Sequence, residues 1–339
     1  MHDPLNGWTA ERDTIDVASE QRTGQSVQKA APVLGPRHTP EPVTGSRSPK
    51  RLGDGAFALI LVIPGLALLV AVVLYPLITS LVTAFFEQSL VIPGRTFVGF
   101  DNIVELLQGD FWRLLRQTMV FTIGTTILPF VVGFGLALAL NSRIRGSRVL
   151  RGVFLIPWLV PGVVVSFLWM WIFNANYGVM NGVLEALGLI DAPEAWLAQP
   201  GTAMTALIVA KTWQSFPWMM VMLLAGLQTV PGELHEAAEV DGAGTIRRFF
   251  SITVPHMRGI IGIVLLLEFI WNFQHFDIIY VMTGGGPAGT TKTFATAVYE
   301  TAFDGFDLGR AGALGLLWMV ILMALVAVYV RFSEKGEKS

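Results

Sequence analysis

Apolar residues in this chain do not alternate with polar ones. They gather into six long blocks separated by polar stretches: Phe57 to Leu81, Gln117 to Leu140, Val153 to Phe173, Ala203 to Leu227, Gly259 to Met282 and Ala311 to Val330. Each block reaches the ~20 mainly apolar residues that carry a helix across a bilayer. The first, second, third and sixth contain no charged residue. Prolines interrupt the first three, at Pro64 and Pro76, at Pro129, and at Pro157 and Pro161. In water they would break helices; in a membrane they are tolerated where neighbouring helices re-satisfy the freed backbone groups. The pattern predicts an all-α polytopic membrane protein of about six transmembrane helices, kinked around a cavity.

Ahead of the first block, residues 1–52 are rich in Pro, Ser, Thr, Gly and both charge signs, with no apolar period. Such a composition buries too little surface to fold alone, so a disordered tail is expected. The first apolar stretch starts only near Ala56 and is too long for a signal peptide, so the tail is expected to stay attached. A transmembrane domain over 53–332 and a short C-terminal tail over 333–339 complete the division.

Orientation follows from basic residues in the short loops. Arg143, Arg145, Arg148 and Arg151 follow block two, Arg247, Arg248 and Arg258 follow block four, and Arg331, Lys335 and Lys338 follow block six. By contrast, Asn174 to Thr202 has no Lys or Arg, and Thr283 to Leu308 sets Lys292 against Glu300, Asp304 and Asp307. The basic loops are therefore expected in the cytoplasm, with both termini. The loop from Glu87 to Arg116 runs against this rule, since it carries Arg95, Arg113 and Arg116 on the outer side.

Composition supports a lipid solvent: 53% of residues are hydrophobic and 14% charged, against roughly 25% charged in soluble domains. A net charge of −2 gives no basic balance for nucleic acid, and no nucleic-acid-binding motif occurs. The absence of cysteine removes disulfides, thiolate metal sites and thiol nucleophiles.

The stretch 228–258 is too polar to span and is patterned as two short helices around a turn. Pro231 suits a first helical position. Glu233 and Glu236 suit the positive N-terminal end, and Ala237 and Ala238 give a slim, strongly helical surface. Asp241 and Gly242 break that helix; a second run, Thr245 to Ile252, carries Phe249 and Phe250 and is expected to end at Pro255. A loop of this build suits insertion into a groove on another protein.

Glu236, Ala237 and Ala238, then three residues, Gly242, nine residues, and Ile252, Thr253, Val254 and Pro255 resemble the EAA loop of binding-protein-dependent ABC importer permeases. Val254 stands where that pattern usually has Leu. The wider run LLAGLQTVPGELHEAAEVDG over Leu223 to Gly242, and TGGGP over Thr283 to Pro287, are similar to the carbohydrate-uptake, MalF/UgpA-type branch. The resemblance extends from about Phe57 to Val330 and implies a type I ABC importer permease fold. It also implies a heteromeric complex in the bacterial-type plasma (inner) membrane: a second related permease subunit, two copies of an ATPase and an extracytoplasmic solute-binding protein docked on the outer loops. In that family the loop couples to the ATPase, which would make Glu236 a charged contact, Gly242 the shaping turn, and Ala237, Ala238 and Asp241 part of the plug. No Walker motif occurs here, so ATP and Mg are expected in the partner ATPase, with no cofactor and no enzymatic activity in this chain.

Ionisable residues inside spans are costly and mark functional positions. Block four places Lys211, Gln214, Ser215 and Trp218 at i, i+3, i+4 and i+7, one helical face. Block five places Glu268, Asn272 and His275 at i, i+4 and i+7, while Asp277 falls on roughly the opposite side. Amide, carboxylate and imidazole groups with an aromatic plane suit a hydroxyl-rich solute, and these positions resemble those that touch sugar in a MalF-type permease. Lys211 and Glu268 either bind solute or neutralise each other. One histidine gives no metal site. The glycine run Gly284 to Gly286 is read as a tight turn. The reading is a permease subunit importing a carbohydrate, a sugar, oligosaccharide or glycerol-phosphate-like solute. A secondary transporter driven by protons or ions, an ABC permease for a non-sugar solute, and a membrane glycosyltransferase, which finds no paired acidic motif here, are the alternatives.

Overall fold

The structure, a computed structural model, describes residues 54–142 and 146–337. The expected N-terminal tail, Arg143, Arg145 and Lys338 lie outside the described residues. Helix α1, Asp54–Leu69, passes through a π turn at Val70–Leu74 into α2, Tyr75–Thr83. The π turn has a local cause. Pro76 offers no N–H to Val72, and its ring would crowd that carbonyl; one residue earlier the Tyr75 N–H reaches back to Val70 O, widening the turn. A short hairpin follows, β1 Phe86–Glu87 antiparallel to β2 Thr96–Phe97, with the Phe86 and Phe97 rings edge to face. Helix α3, Asp101–Gln108, leads to α4, Phe111–Asn141. The latter begins six residues before the expected span because Phe111 and Leu114 are buried in a cluster with Leu106, Phe294 and Leu314.

The third block is not one helix. It divides into α5, Ser147–Leu159, and α6, Gly162–Ile172, bent by 94°. Proline forces its predecessor out of the helical region, and Val160 duly takes φ −77°, ψ 129° before Pro161. Short α7, Val179–Ala186, lies in the connection before α8, Ala203–Leu227.

On the 228–258 loop, α9 spans Gly232–Val240, with Pro231 at its N-cap, one position earlier than expected. The helix ends in a Schellman motif: Ala243 N–H bonds to Ala238 O, Gly242 N–H bonds to Glu239 O, and Gly242 takes φ +76°. Pro255 does not end the next run. Helix α10, Thr245–Arg248, continues through a π turn at Phe249–Thr253 into α11, Val254–Phe273, a single 29-residue rod. The device is that of Pro76, with Val254 N–H reaching Phe249 O. The fifth block is then interrupted at Gln274 to Phe276 before α12, Asp277–Thr283. Gly284 closes α12 with φ +58°, the tight turn read from the glycine run. Helix α13, Phe294–Tyr299, runs through a π turn, Glu300–Asp304, to α14, Leu308–Glu337.

Among the described residues five helices are long and apolar enough to cross a membrane, six if the bent pair α5–α6 is counted as one span. At the centre α4 packs on α8, and the contact is close because α4 presents glycines. A Cβ on Gly133 would lie 2.9 Å from Met220 N and from Phe216 O, and one on Gly124 would lie 2.8 Å from Ile208 Cδ1. Small residues at such crossings let backbones approach where dispersion must hold helices together.

Candidate functional site

Four polar positions of α8 face the break in the third block. Gln214 Nε2 donates to Val160 O at 3.2 Å, a carbonyl stranded by the bend at Pro161, and Lys211 Nζ donates to Gln214 Oε1 at 3.2 Å. Opposite them, Glu268 of α11 is 3% exposed. Its Oε1 accepts from Asn272 Nδ2 at 3.0 Å, and the same nitrogen donates to Thr125 O of α4 at 3.0 Å. That second bond has its own logic. In an unbroken helix Thr125 O would receive the N–H of residue 129, but Pro129 has none.

Trp158, Gly162, Lys211, Gln214, Ser215, Trp218, Glu268, Trp271, His275 and Asp277 enclose a cavity of about 180 Å³. Six of the seven sequence-derived residues thus meet in one place. Asn272 does not line it: at 1% exposure it stands behind Glu268 and holds the carboxylate. Asp277 reverses its expected position, because the interruption at Gln274 to Phe276 turns α12 and brings this carboxylate back beside the start of α6. There Asp277 Oδ2 lies 3.0 Å from where a Gly162 Cβ would stand. His275 lies flat on Phe121, ring centroids 6.1 Å apart, with Nε2 unpartnered. Lys211 and Glu268 form no direct ion pair; among the described residues the pairs are Arg113–Asp110, Arg248–Glu239 and Lys292–Glu300.

Two tryptophans were missed by periodicity. Trp271 meets Trp218 edge to face with centroids 4.9 Å apart, and Trp158 arrives from the last turn of α5. Trp271 follows Glu268 by three residues, which is a signal; Trp158 has none, since only the bend places it. The cavity is smaller than the roughly 300–1,000 Å³ of enclosing ligand pockets. With Trp158, Trp271 and Asp277 exposed along one side, it has the form of a half-site. Ammonium, carboxylate, hydroxyl and indole groups around water-accessible space bind hydroxyls and the apolar faces of rings. Among the described residues no group of His, Asp and Glu has metal-holding geometry.

At the other end of the α10–α11 rod, Glu236, Ala237, Asp241 and Gly242 are exposed and Ala238 is partly buried. Around them Val240, Ile246 and Phe250 are 89%, 77% and 65% exposed, an apolar surface with nothing on it. Arg248 ties the turn to Glu239 at 2.8 Å, and of the two phenylalanines of the second run Phe249 is covered by Phe134 of α4 while Phe250 is exposed.

A family profile described as "Binding-protein-dependent transport system inner membrane component" matches residues 130–333. The chain is 37% identical to the sulfoquinovosyl glycerol transport system permease protein SmoG of Agrobacterium fabrum, over 83% of this chain and 91% of that one. It is 35% identical to the trehalose/maltose transport system permease protein MalF of Thermococcus litoralis, over 80% and 92%. Among solved structures, a chain of a bacterial ABC transporter involved in the import of the acidic polysaccharide alginate matches with a TM-score of 0.71. It does so over 82% of this chain and 95% of that chain at 21% identity, a likeness of fold.

Proposed function

The chain belongs to the family of binding-protein-dependent transport system inner membrane components, multi-pass permease subunits of ABC importers, and on that premise we propose that it passes a carbohydrate through the cavity between α5–α6, α8 and α11–α12. As a permease it is a transport component and not an enzyme; importers of this family work with a binding protein and an ATPase. The observation that carries the solute proposal is the union of Lys211, Gln214, Ser215 and Glu268 with three tryptophans around one water-sized space. Polar side chains at that depth are expensive unless they serve a pathway. The relatives' sugar solutes support the same class. In this reading Lys211, Gln214, Ser215, Trp218, Glu268 and His275 touch solute, and Asn272 acts through Glu268.

Coupling runs along α10–α11. From Thr245 to Glu268 the rod rises through 24 residues, about 35 Å at 1.5 Å per step, so a push at the loop is delivered to the cavity wall along one continuous helical rod. Glu236, Ala237, Ala238, Asp241 and Gly242, with exposed Val240, Ile246 and Phe250, form the plug for an ATPase groove, where ATP and Mg act. The complex in this proposal holds a second related permease that closes the open side of the cavity, two ATPase copies and an extracytoplasmic binding protein. Arg148, Arg151, Arg247, Arg248 and Arg258 lie inside, with both termini.

Uptake of labelled maltose and trehalose by cells lacking this chain, restored with wild type or with Trp218→Ala and Gln214→Ala, tests the pathway. Wild type restores uptake and each variant lowers it severalfold while complex yield holds. Unchanged uptake in both variants removes the cavity from the pathway.

A further inference from the structure

We infer that this cavity selects an uncharged saccharide and discriminates against acidic ones; the inference rests on the reading of the cavity as the solute site. The charges that face it decide the matter. Among its lining residues Lys211 is the one cation, while Glu268 and Asp277 are anions, so with His275 counted neutral the formal balance is −1. The partial positive charge at the start of α6 does not change this, because the Asp277 carboxylate already lies against Gly162, the first residue of that helix. Nor is Lys211 a free anion receptor: it faces the two carboxylates across a small space, and one of its N–H groups is taken by Gln214.

A carboxylate or sulfonate on the solute would compete with Glu268 and Asp277 for the single ammonium. It would meet Asp277 first, since Asp277 is exposed on the open side. A hydroxyl has no such conflict. Each can accept from Lys211 and donate to Glu268, whose Oε1 accepts from Asn272 and which keeps further lone pairs for a solute. Trp158, Trp218 and Trp271 supply walls for the apolar face of a ring and carry no formal charge. A site of this composition reads hydroxyls, and does so without the arginine that planar, bidentate recognition of carboxylates favours.

The test uses the assembled importer without its binding protein, so that only the membrane cavity selects. The chain has no cysteine, and Ser215→Cys places one thiol in the cavity of this subunit, modified by the small neutral reagent methyl methanethiosulfonate and read as the mass of the subunit. Maltose and trehalose slow the modification. Sulfoquinovosyl glycerol and an alginate disaccharide need concentrations at least ~10-fold higher, since like charges brought together repel. Asp277→Asn, a change on the exposed rim, lowers the concentration that the acidic sugars need relative to that for maltose. Protection by the acidic sugars at or below the neutral sugars' concentrations overturns the inference while keeping the cavity as a saccharide site. An Asp277→Asn variant with an unaltered ratio overturns the role given to that carboxylate. Protection by neither class overturns the underlying reading and the inference with it.

Discussion

Replacing Asn272 with alanine removes one nitrogen with two duties. Thr125 O loses the donor that substitutes for the missing N–H of Pro129, and Glu268 loses the amide that orients it. A buried acceptor left without a partner costs about 1–3 kcal/mol, and a hydrogen bond to a charged group contributes about 1.5–3 kcal/mol. In membranes the unfolded reference state also finds partners, and measured interhelical bonds average about 0.6 kcal/mol. Two such bonds therefore put Asn272→Ala between about 1 and 3 kcal/mol. Pro129→Ala separates the two duties. It returns an N–H to Thr125 O, so Asn272→Ala made in that background loses only the Glu268 bond and costs at least about 0.6 kcal/mol less. Denaturation midpoints of the purified complex for the four proteins of this cycle measure the difference. Equal costs in both backgrounds, within the ~0.3–0.5 kcal/mol scatter of independent sites, would refute the idea that Asn272 repairs the proline gap.

Gly133→Ala brings a Cβ to 2.9 Å from two main-chain atoms of α8, whereas Gly135→Ala meets nothing within 4 Å; the first lowers stability by about 1–3 kcal/mol and the second does not, as thermal denaturation of the complex will report. Gly242→Val strains a residue at φ +76° by about 1–2 kcal/mol, and with Glu236→Lys it is expected to reach the membrane yet separate ATP turnover from uptake in proteoliposomes; full coupled transport in both removes the loop from coupling. In this cysteine-free chain, Pro193→Cys reacts with an impermeant maleimide from outside and Ile246→Cys only after permeabilisation, and the reverse pattern inverts the topology. Lys211→Gln fails to rescue Glu268→Gln, since no direct ion pair joins the two; recovery of complex yield in the double variant would restore the mutual-neutralisation reading.

The six blocks and the α8 stripe were legible because their periods depend only on helix geometry and solvent. The turn at Gly242 was legible too, since glycine there meets a left-handed requirement. What periodicity could not rank was the prolines. Pro64, Pro129 and Pro217 sit inside continuous helices, Pro76 and Pro255 follow π turns, and Pro161 bends its block by 94°. The local chemistry is the same in each, and the outcome depends on the packing around it, which spacing along the chain does not carry. Trp158 and Asp277 were illegible for that reason, since each reaches the cavity only through a break whose position depends on tertiary packing. Asn272 was placed on the right face, but its bonds to Thr125 O and Glu268 were not legible: a residue one turn from Glu268 can address the cavity or a neighbouring helix, and spacing does not choose between them.

The prolines and the polar stripe are better understood together than apart. Two prolines near the cavity free a carbonyl that lipid cannot satisfy, at a cost of several kcal/mol if left alone. Asn272 takes the carbonyl released by Pro129, and Gln214 takes the one stranded before Pro161. Having one end fixed to backbone, these amides hold their other ends in place, Asn272 against Glu268 and Gln214 against Lys211. The two charged groups are thereby oriented by main-chain geometry rather than by each other, which leaves both available to a third party in the space between them. A direct Lys211–Glu268 pair would fill that space with its own attraction. The prolines thus do more than curve the helices around a cavity: they supply the fixed points from which its polar groups are held apart.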